Sequence, residues 1–365
     1  PKDIDTANNQ LDVNKELNKI ENYVLNAFAT THPSTVTKDW LQLQIENYYN
    51  PPQKKTSIPT NLIDYIDFYV DYRKNEIKSA SITKYNVIKH KLERLQLERK
   101  KPILIKDINE GFKNEFITYQ KSKGYAQNTM HRELTFIKTF CKHARYLGLE
   151  VHPQMDTLKV KKEKISKIWL TFEELEKIEK IENLSPHLEN ARDWLIVSCY
   201  TGQRISDFMR FNKDMIRTEK GKKLLEFTQK KTDKIMTIPI HKKVLEVINN
   251  KGGEFPYPIS HQRYNDFLKV VCEKAGLNEP TNGKLQKNLS EEKKKKKMRA
   301  VSGIYPKWEL ITSHCGRRSF ATNYYGIIPT THLMNVTGHT TEAAFLNYIG
   351  KSNKDLAMEL TSYFD

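Results

Sequence analysis

Residues 61–148 carry four apolar stripes in succession, and their spacing restricts the fold of that region more than any other feature of the chain. The segments LIDYIDFYVDYRKN, ITKYNVIKHKLERLQLE, INEGFKNEFITYQKSKG and NTMHRELTFIKTFCKHARYLG each repeat apolar residues at intervals of three or four. Several of them present Lys or Arg on the opposite face. Such an interval is that of an α-helix with one buried side, so the expectation is a bundle of about four helices with basic faces. Asn128 or Thr129 is suited to cap the last helix, and Gly148 to end it.

The flanking regions read differently. Val13, Leu17, Ile20, Val24 and Phe28 recur at helical spacing, and Trp40 and Leu43 begin a shorter stripe, before NPPQKKTSIPT breaks the pattern with three prolines. Beyond the bundle, KVKKEKISK at 159–167 places five lysines in nine positions, a composition for an extended linker that lies along phosphates. LTFEELEKIEKI and HLENARDWLIVSCYTG are again helical. KKLLEFTQKKTDKIMTIPI reads as two strands around a turn, with Met236, Ile238 and Ile240 alternating on one face. NGKLQKNLSEEKKKKKMRAVSG, residues 282–303 with a pentalysine at Lys293 to Lys297, is expected to be a mobile, solvated, charged insertion. The fold class is therefore mainly α with a small antiparallel β-sheet (α+β). The expected domains are 1–56, helical and without an assigned role; 60–150, the bundle; 151–167, a basic linker; and 168–365, a mixed domain holding the Lys-rich insertion.

Charge points to the partner. Lys plus Arg number 61 against 44 Asp plus Glu, a formal net charge of +17 over 365 residues, which favours a polyanion such as nucleic acid. No run of 18 apolar residues and no secretory signal occurs in the sequence, so no membrane association is expected and the cytoplasm is the expected location. Cys141, Cys199, Cys272 and Cys315 are far apart and form no CxxC pair, which argues against structural zinc and a disulfide framework. The sequence opens on Pro1 rather than a methionine, and the expectation is that a preceding segment has been lost.

Three short motifs carry the chemistry. Arginine binds phosphate oxygens bidentately and keeps its charge, and helix starts add backbone N–H donors for the same anion. In YTGQRISDF, Arg204 sits at the corner between two helices. In TSHCGRRSFATNYY, Thr312 or Ser313 caps a helix whose first turn projects His314 and Arg317 from one face. In GHTTEAAFLNYIG, His339 precedes Tyr348 by nine residues. Taken singly each has a plain reading: Arg204 pairs with Asp207, His314 and Arg317 form a surface pair, and His339 caps a helix.

TGQRISD, HCGRRSFATN and VTGHTTEAAFLNY, in that order, make the chain resemble the tyrosine recombinases, the phage-integrase type of site-specific recombinase carried by mobile elements. The resemblance covers the last two hundred residues or so, and the bundle before them is similar to the family's helical core-binding domain. It implies that Tyr348 is the nucleophile, that Arg204 and Arg317 clamp the scissile phosphate, that His314 supports proton transfer, and that His339 donates to a nonbridging oxygen. A hairpin lysine is implied as the general acid; Lys231 is the closest match, with Lys230 and Lys234 left open, and Asp207 matches a position that braces the site. No cofactor, metal or nucleotide is implied. The implied partners are double-stranded DNA, three further copies in a homotetramer on two duplexes joined through a Holliday junction, and DNA-bending accessory proteins. Tyr324 and Tyr325 are read as packing residues and Cys315 as filler. The alternatives are a type IB topoisomerase-like enzyme, which swivels DNA, and a noncatalytic DNA-binding protein on the same scaffold. The segment after Tyr348 places Leu356, Leu360 and Phe364 at helical spacing, suited to docking on a neighbouring copy or on its own domain.

Overall fold

The structure is a computed structural model that describes residues 4–29, 31, 33–50, 58–290 and 297–351, with 355, 357, 358, 361 and 364 beyond them. It divides into two compact units, Pro1–Phe116 with Glu133–Leu158, and Ile117–Arg132 with Lys159–Asp365.

In the first unit α1 (Ile4–Ala29) and α2 (Lys38–Tyr49) pair through edge contacts of Phe28 with Trp40 and of Tyr23 with Tyr48. Their apolar stripe is not a buried core: Val13 and Leu17 remain 58% and 56% exposed. The four stripes of the bundle become α3 (Leu62–Tyr72), α4 (Ser79–Arg99), α5 (Glu110–Ser122) and α6 (Gln127–Tyr146). Leu62, Ile66, Ile88, Leu92, Phe116, Ile137 and Phe140 are fully buried between them. Lys91 and Glu133 form an ion pair of 2.5 Å within this core.

Two expectations for this region need correction. Helix α6 starts at Gln127, so neither Asn128 nor Thr129 is its N-cap. The Asn128 carboxamide instead accepts from the Glu163 N–H and donates to the Glu163 carbonyl, both at 2.9 Å, because a tertiary backbone partner satisfies both ends of the amide at once. The basic linker also starts later than 151. Pro153–Thr157 is a 3₁₀ turn, and Met155 and Leu158 are buried in the first unit, leaving only 159–167 extended and mostly exposed.

The second unit is built around α8 (Pro186–Thr201), in which every residue from Asp193 to Thr201 is buried. A helix covered on all sides is a core helix. Its neighbours are α7 (Phe172–Glu179), α10 (Lys242–Asn250), α11 (His261–Lys274) and α13 (Ser313–Tyr324). Gly316 permits the closest of these approaches, since a Cβ there would lie 1.9 Å from Ser198 Oγ. Between α8 and α10 come the short α9 (Ile205–Phe208) and an antiparallel sheet of β1 (Ile216–Glu219), β2 (Lys222–Thr228) and β3 (Ile235–Pro239). Phe227 faces Met236 and Leu225 faces Ile238 across β2 and β3, and all four side chains are buried. Ile240, expected on the same face, lies just past the strand and is half-buried.

The Lys-rich insertion is not simply a charged loop. Its ends form a long hairpin, β4 (Pro280–Asn288) with β5 (Met298–Pro306), and only 291–296, including most of the pentalysine, lie outside the described residues. The base of the hairpin rests on α12 (Lys307–Leu310), where a Cβ on Gly283 would meet Leu310 at 2.5 Å. The chain then runs through α13, α14 (Thr330–Thr337) and α15 (Glu342–Leu346). Leu356 and Leu360 lie outside the described residues, and Phe364 is 83% exposed.

Candidate active site

Three chain reversals converge on one place in the second unit. Helix α8 ends at Gly202, which adopts φ 68° and packs so closely on Phe320 that a Cβ would sit 2.6 Å from its ring. Only glycine meets both demands without strain. The reversal sets Arg204, half-buried, in the extended residue before α9. A second left-handed glycine, Gly338 at φ 66°, ends α14 and is followed by His339. The third reversal is the turn between β2 and β3, residues 229–234, closed by Gln229 N–H to Lys234 carbonyl and Asp233 N–H to Gln229 carbonyl, each 2.9 Å.

Two buried glutamines tie these reversals together. Gln203 donates to the Thr201 and Val336 carbonyls at 2.9 and 2.7 Å and accepts from Gln229 at 3.3 Å. Gln229 in turn accepts from Arg204 at 3.4 Å and from the Thr232 hydroxyl at 2.8 Å. Sequence reasoning missed both. The available signal was their position, one immediately before Arg204 and the other at the start of the hairpin turn.

Asp207 does not pair with Arg204. Its buried carboxylate accepts the Lys230 N–H at 2.8 Å and the Arg210 guanidinium at 3.4 Å, so it fixes the hairpin turn against α9. Lys231, next along that turn, is exposed, and its charge is one of those acting on His314.

Arg317 is 1% exposed. Its Nη1 donates to the Gly202 carbonyl at 2.9 Å, its Nη2 donates to the Thr337 carbonyl, and its buried Nε has no partner. A buried N–H without a partner costs about 1–3 kcal/mol, which an arriving anion would recover. Burial and the neighbouring Arg204 push its pKa down to about 10, so it stays charged at neutral pH. Cys315, buried beside it, accepts from the Thr312 N–H at 3.4 Å and so helps to close the start of α13.

Tyr348 follows α15 and is fixed within its own chain. Phe345 and Ile349 on either side are buried, the Ile349 carbonyl accepts from Lys167 at 3.1 Å, and the Gly350 N–H donates to Thr322 at 3.0 Å. A Cβ on Gly350 would fall 2.2 Å from the Trp169 ring. The phenol oxygen lies against the His314 imidazole, 3.2 Å from Nδ1 and closer to Nε2. The Arg317 guanidinium carbon is 5.6 Å from the phenol ring centroid, and the His339 ring 5.0 Å. Burial pushes the Tyr348 phenol up, while Arg317, Arg318 and Arg204 pull it back. His314 is pushed down to about 4 by desolvation and by Arg318, Arg317, Arg204 and Lys231; the residue as a whole is exposed, so the cluster of cations is the firmer of these causes. His339 is also pushed down to about 4, by burial and then by Arg317 and Arg204. Both imidazoles are therefore neutral at pH 7, and His314 can accept the phenol proton.

Structure thus gathers Arg204, Lys231, His314, Arg317, His339 and Tyr348 around one basic centre, with Asp207 beneath it. Tyr324 is half-buried, packing on Phe172 at 5.5 Å and Phe320 at 5.1 Å, and the half-buried Tyr325 stands over Phe345 at 6.3 Å. The four cysteines are buried with free thiols. Among the described residues no cluster of His, Cys, Asp and Glu is arranged to hold a metal, and no helix is long and apolar enough to cross a membrane.

Comparison with known proteins agrees with this geometry. The family model for the phage integrase SAM-like domain matches residues 61–155, and that for the phage integrase family matches 168–354. The chain belongs to the phage integrase family: it is a tyrosine recombinase, a site-specific enzyme that cuts and rejoins DNA. Among solved structures, a lambda integrase dimer bound to a COC′ core site is 18% identical, with a TM-score of 0.58 over 80% of this chain and 97% of that one. The Tn1549 transposon integrase in complex with a circular intermediate DNA is 14% identical, with a TM-score of 0.58 over 84% of this chain and 100% of that one. A lambda integrase tetramer bound to a Holliday junction is 16% identical, with a TM-score of 0.57 over 86% and 87% of the two chains. At these identities the likeness is one of fold. A search of curated proteins returned no match.

Proposed function

We propose that the chain recombines duplex DNA through a 3′-phosphotyrosine on Tyr348, and the observation that carries this is the phenol oxygen held against a neutral His314 beside Arg317. Tyr348 Oη attacks the scissile phosphorus and passes its proton to His314. The bond from phosphorus to the 5′ oxygen breaks, and the Lys231 ammonium supplies a proton to that oxygen. Arg204 and Arg317 hold the nonbridging oxygens as charge builds on them. The product is a covalent adduct plus a free 5′ hydroxyl. A 5′ hydroxyl from a second duplex then reverses the step, and no nucleotide is consumed because the phosphodiester energy is kept in the adduct. Two duplexes and four protomers complete the exchange through a Holliday junction in the cytoplasm, with accessory proteins bending the DNA. The helical domain around 61–155 and the lysines of 159–167 supply sequence-independent phosphate contacts.

A covalent trap tests the reading. The protein is incubated with nicked duplexes from the DNA flanking its own gene and quenched in SDS, and any adduct is mapped by peptide mass spectrometry. An adduct on Tyr348 that vanishes in Tyr348→Phe is expected. An adduct on Tyr324 or Tyr325 would overturn the assignment. Adducts without exchange between duplexes would favour the topoisomerase-like alternative, and none on DNA that the protein binds would favour the noncatalytic one.

His339 adds a pH signature. Thr337 Oγ1 lies 2.6 Å from the Leu333 carbonyl and 2.8 Å from His339 Nδ1; with its hydrogen assigned to the nearer carbonyl, the hydroxyl accepts from Nδ1. A neutral His339 consequently has no proton on Nε2 and can donate to a phosphate oxygen only after gaining one. Bound phosphate offsets the Arg317 and Arg204 charges that depress this pKa, and a ligand that raises a pKa binds more tightly as pH falls. DNA affinity is therefore expected to rise from pH 7.5 to 5.5. Calorimetry in buffers of different ionisation enthalpy should show proton uptake, reduced in His339→Gln, whose amide donates without titrating.

A further inference from the structure

Arg318 is a third arginine at the centre, and the chemistry above leaves it without a task. It follows Arg317 on α13, roughly 100° further round the axis at 3.6 residues per turn, so it is half-buried where Arg317 is fully buried. Its guanidinium carbon is 6.0 Å from the Tyr348 ring centroid, close to the 5.6 Å of Arg317. It takes part in no ion pair or hydrogen bond among the described residues. Its charge depresses the Lys167 ammonium, and it is the foremost of the charges that depress His314. A partly desolvated cation without a counter-charge is costly unless an anion visits it.

Beside Arg318 opens a groove of about 340 Å³, walled by the extended backbone of 163–166 on one side and the base of the β4–β5 hairpin on the other. Lys164, Ser166, Lys284, Ser302 and Thr312 line it together with Arg318. The one carboxylate on its wall, Glu163, is already tied to Lys284 at 2.7 Å. Gly283 and Gly303 are cross-strand partners, so the hairpin presents bare backbone to the groove. Ile165, Ile168 and Leu310 add apolar wall, and the hydroxyls, ammonium groups and guanidinium that share the lining suit a phosphodiester.

We propose that Arg318 and this groove form a second phosphate subsite, which takes the phosphodiester adjoining the one Tyr348 attacks on the same strand. Consecutive phosphates advance about 3.4 Å along the duplex axis per strand, so two guanidinium groups on consecutive helix residues, both facing one phenol ring, match neighbouring phosphates rather than distant ones. Holding the neighbour fixes the register of the strand and sets the scissile phosphorus in line with Tyr348 Oη. The inference rests on the function proposed above.

The test uses the full chain and duplexes in which a single methylphosphonate removes the charge of the first or second phosphate on either side of the cleaved one. At one first-neighbour position the neutral linkage is expected to slow wild-type adduct formation by about 10- to 100-fold, the range for losing a charge-assisted hydrogen bond. Arg318→Ala should lose a similar factor on unmodified DNA and nothing further at that position, while Arg318→Lys falls between. Additive losses at all four positions, or wild-type rates for Arg318→Ala, would overturn the subsite. Should Arg318→Ala melt early, Arg318→Gln gives the same comparison, and the linkage scan on the wild type needs no variant. Should the wild type form no adduct at all, the phosphotyrosine reading falls by itself. The subsite is then judged from equilibrium affinities for the same duplexes, where non-additivity at one position upholds it and uniform additivity overturns it.

Discussion

Arg317→Lys is expected to lower the rate of Tyr348 adduct formation by about 10²- to 10³-fold, the usual cost of removing one positioned donor to a developing oxyanion, with little loss of DNA affinity. The charge survives this change, so any loss reports on the fork. Nη1 and Nη2 are already committed to the Gly202 and Thr337 carbonyls, and only Nε is unpartnered. One ammonium cannot reproduce that division of donors. If it turns to the phosphate it leaves two buried carbonyls unpaired, at about 1–3 kcal/mol each, so the variant should also melt earlier. Arg204→Lys separates the two effects: Arg204 makes only a 3.4 Å contact with Gln229, so cleavage should fall by a comparable factor with no large change in melting temperature. DNA binding should persist in both, because a chain with 61 lysines and arginines and a net charge of +17 does not depend on one of them for its attraction to phosphates. Binding and cleavage lost in equal measure, as read by a filter or gel assay beside the covalent trap, would refute the division of roles.

The site was more legible in the sequence than much of its support. Arg204, His314, Arg317, His339 and Tyr348 each have a plain reading when taken singly, and it is the resemblance carried by their three motifs, in that order, that marks them as candidates. Gln203 and Gln229 are silent in that sense. An amide carries no charge, and its worth here comes from being fully buried between three backbone segments that are remote in sequence. The bundle helices were legible because each buries one face. The β4–β5 hairpin was not, since Lys284, Gln286, Lys287 and Arg299 give its strands no apolar alternation, and the neighbouring pentalysine suggested a loop. Strand β1 was missed for a related reason: it is four residues long with three exposed, and it exists because Lys220 and Gly221, both with positive φ, turn it tightly onto β2. Asn128 shows the opposite error, in which a good local cap was outbid by a tertiary partner.

The hairpin lysine is where sequence left three candidates, with Lys231 the closest match. Asp207 holds the Lys230 N–H and Gln229 holds the turn closed through Thr232, and we propose that the residue between them, Lys231, is the general acid. Its charge acts on His314, as a group poised near the phosphate must. Lys231→Ala is therefore expected to slow cleavage by about 10²- to 10⁴-fold, the usual contribution of a general acid. That penalty should largely vanish on a substrate whose bridging 5′ oxygen is replaced by sulfur. A thiol ionises near pH 8.5, as cysteine does, so a thiolate leaves without being handed a proton and the acid becomes redundant. Lys230→Ala and Lys234→Ala should cleave both substrates at close to the wild-type rate. Arg317→Lys should stay slow on the sulfur substrate, because stabilising the phosphorane-like charge is a separate task from protonating the leaving group. Rescue of Lys230→Ala or Lys234→Ala in place of Lys231→Ala would move the acid along the turn. A Lys231→Ala defect of equal size on both substrates would mean that the side chain binds phosphate and leaves protonation of the 5′ oxygen to another group.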